Sequence, residues 1–204
     1  MKPNEITNED IYKGYAINNG KDYTSNCFIS TLNKIVDTTL NMTEKHSKVL
    51  VARLDIHKPQ DKIIENPNRK STRIKESFKK EMDRKFKDSS HNPDIKIIST
   101  TEKMDSERQT HEHLYILANG NAIQNAWRFQ NSLNRHTKRI FDSDNDGLVH
   151  FCESSGEKGI MIDRDKDNFE EQLDKAIYAG SYLAKTKGKD LLPKGSHKVS
   201  SSRK

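Results

Sequence analysis

Cysteine is nearly absent from this chain: two residues, Cys27 and Cys152, in 204. Two thiols build neither a disulfide scaffold nor a four-cysteine zinc site, and a reducing cytoplasm suits them best. Long apolar runs are missing too. No stretch approaches the roughly 18 residues of a membrane-spanning helix, so no membrane partner is expected. The opening MKPNEITNED has no apolar segment of the secretory type, so no signal peptide is expected. Apolar residues are scarce overall, 31% against 32% charged. Even with the nine glycines counted they make up only about a third of the chain, against the usual ~45–50%. Much of the surface must therefore be charged. No internal repeat is present.

What the chain has is a modest positive balance, 36 Lys and Arg against 30 Asp and Glu. That balance favours a polyanionic partner, though an ordinary basic protein carries it as well. The length suits one domain. Residues 1–24 are polar and read as a loose N-terminal arm, 25–188 as the domain, and 189–204, rich in Lys, Ser and Gly, as a basic disordered tail.

Periodicity supplies the elements. Phe28, Leu32, Ile35, Val36 and Leu40 recur at helical steps and predict a helix over 25–45. KVLVARLDIHKP alternates, with Leu50, Ala52, Leu54 and Ile56 on one face and Val51, Arg53, Asp55 and His57 on the other. It reads as a strand with one buried and one wet face, ended by Pro59. Ile74, Phe78, Met82 and Phe86 predict a second helix over 72–87. Two strands, 95–102 and 111–118, form a hairpin around a polar turn at 103–110. A third helix (123–140) carries Ile123, Trp127, Leu133 and Ile140. GLVHFCE is a further short strand, and a polar loop leads to a last helix over 168–186. This order predicts an α+β fold: a central antiparallel sheet with helices packed mainly on one face, the other face left open.

Two groups of residues point to chemistry. His111 and His113 lie two apart on a strand, so both imidazoles share one face, a spacing that suits two ligands of one metal ion. Glu102, on the preceding hairpin strand, can be paired next to them, giving two imidazoles and a carboxylate with positions left for water or phosphate. On the last helix, Phe169, Leu173, Ala176, Ile177, Gly180, Leu183 and Ala184 form one apolar stripe, while Tyr178, Tyr182 and Lys185 project from the opposite side. A structural tyrosine normally joins the stripe, so these three read as a working surface, a partner-binding patch or a partly buried second layer. A metal that polarises a phosphate, a tyrosine nucleophile and a lysine that neutralises developing charge together suit DNA cleavage through a phosphotyrosine.

At these residues the chain resembles the HUH endonucleases, the rolling-circle replication initiators and relaxases, and among them the inovirus-type replication proteins and the YagK/YfjJ C-terminal domain family of prophage proteins. The resemblance rests on HSKVLVARLDIHKP, HEHLYILANG and YAGSYLAKTKGK, with GLVH as a weaker fourth stretch. It implies a ferredoxin-like (RRM-like) HUH fold, Mg²⁺ or Mn²⁺ held by Glu102, His111 and His113, Tyr182 as nucleophile in a tyrosine–x–x–lysine motif with Lys185, and Tyr178 as a possible second nucleophile. The implied function is nicking and rejoining of single-stranded DNA at a replication origin of a phage, prophage or mobile element in a bacterial cytoplasm. No GxxxxGK[ST] motif is present, so unwinding falls to a host helicase and extension to a host polymerase. Where the family carries an apolar residue between the two histidines, this chain has Glu112, which on a strand points to the opposite face and there needs an ion pair or an edge.

Arg53, Lys187 and Lys189 are the candidate DNA-phosphate contacts. The lysines and arginines around Lys75 can equally solvate a helix face. Tyr115 or Tyr178 can stack on unpaired bases. Asp55 and His57 are either supports for the metal ligands or solvated polar residues. Two readings compete with the nickase: a catalytically inactive DNA-binding protein of the same fold, and a Ca²⁺-binding protein, because Asp142, Asp144, Asp146, Gly147 and Glu153 match the EF-hand loop. Gly156 and Gly159 spoil the helix that such a loop needs afterwards, which favours an acidic turn leading into a strand.

Overall fold

The computed structural model describes residues 5–19, 26–61, 63–103, 110–152, 158–189, 192 and 199–201. In chain order, three two-residue strands, β1 (Ile6–Thr7), β2 (Ile11–Tyr12) and β3 (Tyr15–Ala16), precede β4 (Cys27–Phe28) and helix α1 (Ile29–Lys45). Then come β5 (Lys48–Ile56), α2 (Pro67–Lys85), β6 (Lys96–Glu102), β7 (His111–Asn119) and α3 (Trp127–Phe141). A 3₁₀ turn leads to β8 (Val149–Phe151), β9 (Ile160–Asp163) and α4 (Phe169–Ser181). A second 3₁₀ turn, Tyr182–Ala184, follows α4, and β10 (Val199–Ser201) ends the described chain. Among the described residues no helix is long and apolar enough to cross a membrane.

The α+β class and the central antiparallel sheet are as expected. The sheet runs β10-β6-β7-β5-β8, and β9 pairs with β5 beyond β8. Every pairing is antiparallel. The placement of the helices differs from expectation: they divide two and two rather than lying mainly on one face. Ile74, Phe78 and Met82 of α2 and Phe129 and Leu133 of α3 pack with Leu50, Ala52, Leu54 and Ile56 of β5. Ile35, Val36 and Met42 of α1 and Leu173, Ala176 and Ile177 of α4 pack on the opposite face, against Val49, Val51, Tyr115, Leu117 and Ile162.

The reason lies in β5 itself. Its second face is apolar in its first half (Val49, Val51) and polar in its second (Arg53, Asp55). The apolar half drives burial under α1 and α4, and the polar half is left for the site.

Three more differences concern short segments. β9 was missed because its four residues carry little periodicity between Gly159 and a charged stretch. β10 lies in the expected tail yet pairs with β6; residues 193–198 of that tail, with Lys194 and Lys198, lie outside the described residues. The N-terminal arm is not loose over 5–19. Ile17 is buried, β1 pairs with β4, and the Asn18 amide donates to Ser181 Oγ at 2.7 Å. The arm thus straps the end of α4.

Glu112 does point to the far face, and the charge is met there. Lys75 of α2 makes an ion pair with it, and the Ser71 hydroxyl donates to its other oxygen. Lys75 also donates to Ser99 Oγ at 2.8 Å, so this lysine belongs to a partly buried network rather than to a solvated face.

Candidate metal centre and tyrosine site

Register brings the site together. Antiparallel pairing places Glu102 opposite His111 and Thr100 opposite His113, and His113 opposite Asp55, which in turn faces His150. Directly paired residues share a face. Glu102, Thr100, His111, His113, Arg53, Asp55 and His150 therefore all lie on the α1/α4 side, beyond where those helices cover it.

Glu102, His111 and His113 converge as expected, all three buried. His113 Nε2 is 3.1 Å from His111 Nε2 and 3.0 Å from Glu102 Oε2, and His111 Nε2 is 4.0 Å from that same oxygen. Two imidazoles and a carboxylate aimed at one point fit a divalent cation, with open positions for outside oxygens. Thr100 supports this fit: its buried hydroxyl has no hydrogen-bond partner among the described residues, and it neighbours His113 across the strands.

The other side of His113 is also fixed. Its Nδ1 meets Asp55 Oδ1 at 2.5 Å, and the Cys152 thiol donates to Asp55 Oδ2 at 2.9 Å. Asp55 is thus bound to the imidazole of His113 rather than standing as a solvated polar residue. Burial opposes the charge on both partners. Even so, the two carboxylates hold the His113 pKa well above its ordinary value, and the bond to His113 holds Asp55 down at about 2. His57 stacks on His111, ring centroids 5.4 Å apart at 17°.

Tyr182 reaches this centre. Its ring stands edge-on to His113, centroids 5.1 Å apart. The Arg53 guanidinium carbon and Lys185 Nζ each lie 3.8 Å from the ring centroid. The tyrosine was expected on the side of its helix away from the core. It faces the sheet instead, because α4 gives way to a 3₁₀ turn at Tyr182 and the angular step per residue changes. Gly180 sets the height of this turn. A Cβ there would come within 2.8 Å of the Tyr115 ring and 2.9 Å of Ile35, so only glycine lets the helix end approach this closely. Burial raises the Tyr182 phenol pKa, with His113 and Arg53 pulling against it.

The remaining candidates are placed as follows. Tyr178 is 41% exposed, and among the described residues no ring contact joins it to the cluster. Lys187 is exposed, as a phosphate contact requires. Lys189 is corrected: it is 0% exposed, and its ammonium bonds Glu102 Oε1 at 3.2 Å and the Lys185 carbonyl, so it is turned inward to a cluster carboxylate. Arg53 is buried against Tyr182 rather than presented on the surface. Tyr115 is corrected too. It is fully buried, with its hydroxyl 3.0 Å from Thr39 Oγ1, and offers no face to a base.

Two participants were not singled out in the sequence, Cys152 as a partner of Asp55 and Lys189 as a partner of Glu102. Cys152 lies two residues after His150, so strand parity alone puts it on the site face once β8 is paired with β5.

The acidic loop leads into strand β8, not into a helix. Asp142 ends α3 in the left-handed region, Asp146 pairs with Lys138, and Asn145 caps its own turn. Glu153 lies outside the described residues.

Fold and site together define an α+β protein with a group of buried donors that could hold a metal ion beside a half-buried tyrosine. A family model, the YagK/YfjJ C-terminal domain, matches residues 7–196, and the chain belongs to that family. No curated protein and no solved structure matches it.

Proposed function

We propose that the chain is a metal-dependent, site-specific endonuclease and strand transferase of the HUH type, acting on single-stranded DNA to initiate rolling-circle replication of a phage, prophage or mobile element. The observation that carries this reading is the approach of the Tyr182 ring to His113 within the Glu102–His111–His113 group. These three residues would hold Mg²⁺ or Mn²⁺, which supplies Lewis-acid polarisation of the scissile phosphate.

The chain's own residues do the rest. With a cation bound, Asp55 would accept from the Nδ1–H of a neutral His113 and leave the Nε2 lone pair to the metal. Arg53 and Lys185 hold the phenol ring and put positive charge where phosphate charge develops. The phenol loses its proton to solvent and its oxygen bonds to phosphorus. The P–O3′ bond breaks, and O3′ takes up a proton as a free 3′-OH. The product is a 5′-phosphotyrosine, and attack by a 3′-OH reverses the step and rejoins the strand. Host helicase and polymerase complete replication.

The test is incubation with circular single-stranded DNA and Mn²⁺. A covalent protein–DNA adduct that disappears in Tyr182→Phe is expected. DNA binding without adduct under any divalent metal sinks the reading. One observation favours the rival, a non-catalytic DNA-binding protein of this family: the Lys189 ammonium already balances Glu102 without a metal.

A further inference from the structure

The chain's one tryptophan, Trp127, opens α3, and instead of joining the core it is 45% exposed. Its indole meets Phe151 edge-on, centroids 5.3 Å apart, and the Lys158 ammonium lies 4.3 Å from its ring centroid. Beside it opens a groove of about 420 Å³, lined among others by Gln124, Asn125, Lys158 and Met161.

The groove's position gives it meaning. β8 and β9 lie end to end along one edge of β5. Trp127 and Lys158 sit beside the junction between them, because Phe151 ends β8 and Gly159 precedes β9. Phe151 pairs with Leu54, the residue between Arg53 and Asp55. The groove is thus around the sheet edge from the tyrosine site, on the opposite face of the same short stretch of β5.

We propose that Trp127 and Lys158 form a stacking subsite for one unpaired base of single-stranded DNA, the indole taking the base and the ammonium its phosphate. The chemistry selects this occupant. An exposed indole whose face draws a cation is electron-rich, and a flat π partner stacks on it once the ammonium turns from the ring to the partner's phosphate. The Lys158 ammonium complements the negative charge that such a partner carries when it is a nucleotide. The polar rim of Gln124 and Asn125 offers amide donors and acceptors to a base edge, whereas a partner protein would need a broader apolar surface. The inference rests on the reading that the chain acts on single-stranded DNA, and extends it to a contact outside the reacting centre.

The experiment uses the full chain with an oligothymidylate in EDTA, where no cutting occurs. As the sole tryptophan, Trp127 reports directly, and saturable quenching of its fluorescence is expected. Trp127→Ala weakens binding about tenfold, the size of one lost base–aromatic stack, while Trp127→Phe keeps most of the affinity. Lys158→Ala weakens binding and lowers the salt slope by about one. Circular dichroism of each variant checks folding. The proposal is overturned if labelled DNA binds without changing tryptophan emission, if folded Trp127→Ala binds like the parent, if an abasic oligonucleotide quenches as strongly, or if no DNA binds. Quenching with no adduct in Mn²⁺ fails the nicking reading alone and leaves this subsite standing.

Discussion

The ring of Tyr182 stands at 82° to the imidazole of His113, with centroids 5.1 Å apart. Four residues earlier, Tyr178 is 41% exposed. The two tyrosines share a helical face in sequence, yet only one of them meets the cluster. Tyr182→Phe is therefore expected to reduce the protein–DNA adduct below detection while leaving DNA affinity within about twofold, since the ring and its stacking on Arg53 remain. Tyr178→Phe is expected to form adduct at the parental rate. Mass spectrometry of the DNA-linked peptide checks both, and a peptide modified at Tyr178 contradicts the assignment.

Asp55 holds His113 from behind while Cys152 holds Asp55. Asp55→Asn keeps the size of the side chain but lets its amide offer a donor to Nδ1, which disturbs the tautomer that leaves Nε2 free for a cation. Loss of such a supporting carboxylate weakens metal binding by about 10–100-fold. Calorimetric titration with Mn²⁺ reads this, with Glu102→Ala as the reference for a lost ligand. Unchanged affinity in folded Asp55→Asn removes Asp55 from the site.

The parts of this centre legible in sequence are those set by parity. A two-residue step put His111 and His113 on one face, and a hairpin put Glu102 near them. What strand parity does not contain is register and the path of the chain after a helix. Asp55 could be placed on a polar face but not opposite His113. Lys189 read as a solvent cation because nothing local says that the turn at Gly188 brings it back, where Lys103 N bonds the Gly188 carbonyl. The division of helices between both sheet faces was hidden for a related reason: Val49 and Val51 look like interruptions of a wet face until α1 and α4 are seen to cover them. The Tyr182 direction was hidden by the 3₁₀ turn, since a helical wheel assumes one constant step.

Acid stability depends on Glu81, which ties α2 to α3. Its carboxylate accepts from Ser132 Oγ at 2.7 Å and meets His136 Nε2 at 2.9 Å, with Arg135 and Lys85 paired to the other oxygen. Burial alone would raise its pKa, but these partners hold it at about 2, against 4.5 for the free group. A carboxylate with a depressed folded pKa stabilises the fold above its unfolded pKa and loses that contribution as pH falls through the folded one. The loss attributable to Glu81 therefore falls between about pH 4.5 and pH 2. Glu81→Gln is expected to lose about 1–3 kcal/mol at neutral pH and to show a shallower decline below pH 4.5. Thermal melts across that range check it; parallel curves for the two proteins contradict it.

Lys189 and Glu102 make a more severe case, because both are buried: the lysine is 0% exposed and the glutamate 7%. Removing one partner of such a pair leaves the other charge without compensation, at a cost of about 3 kcal/mol or more. Lys189→Met keeps the aliphatic stem and removes only the charge and its donors, so packing loss contributes little. The metal-free melting temperature is expected to fall by roughly 6–12 °C for that energy in a chain of this size. The same change removes a positive charge from beside the donor group, so a divalent cation should bind more tightly than in the parent and restore much of the lost stability by mass action. A melt in EDTA and another in saturating Mn²⁺ separate the two effects. A variant equally destabilised in both conditions shows Lys189 to be a structural residue with no electrostatic link to the metal centre. A variant rescued by Mn²⁺ shows that ammonium and metal compete for the charge of one carboxylate.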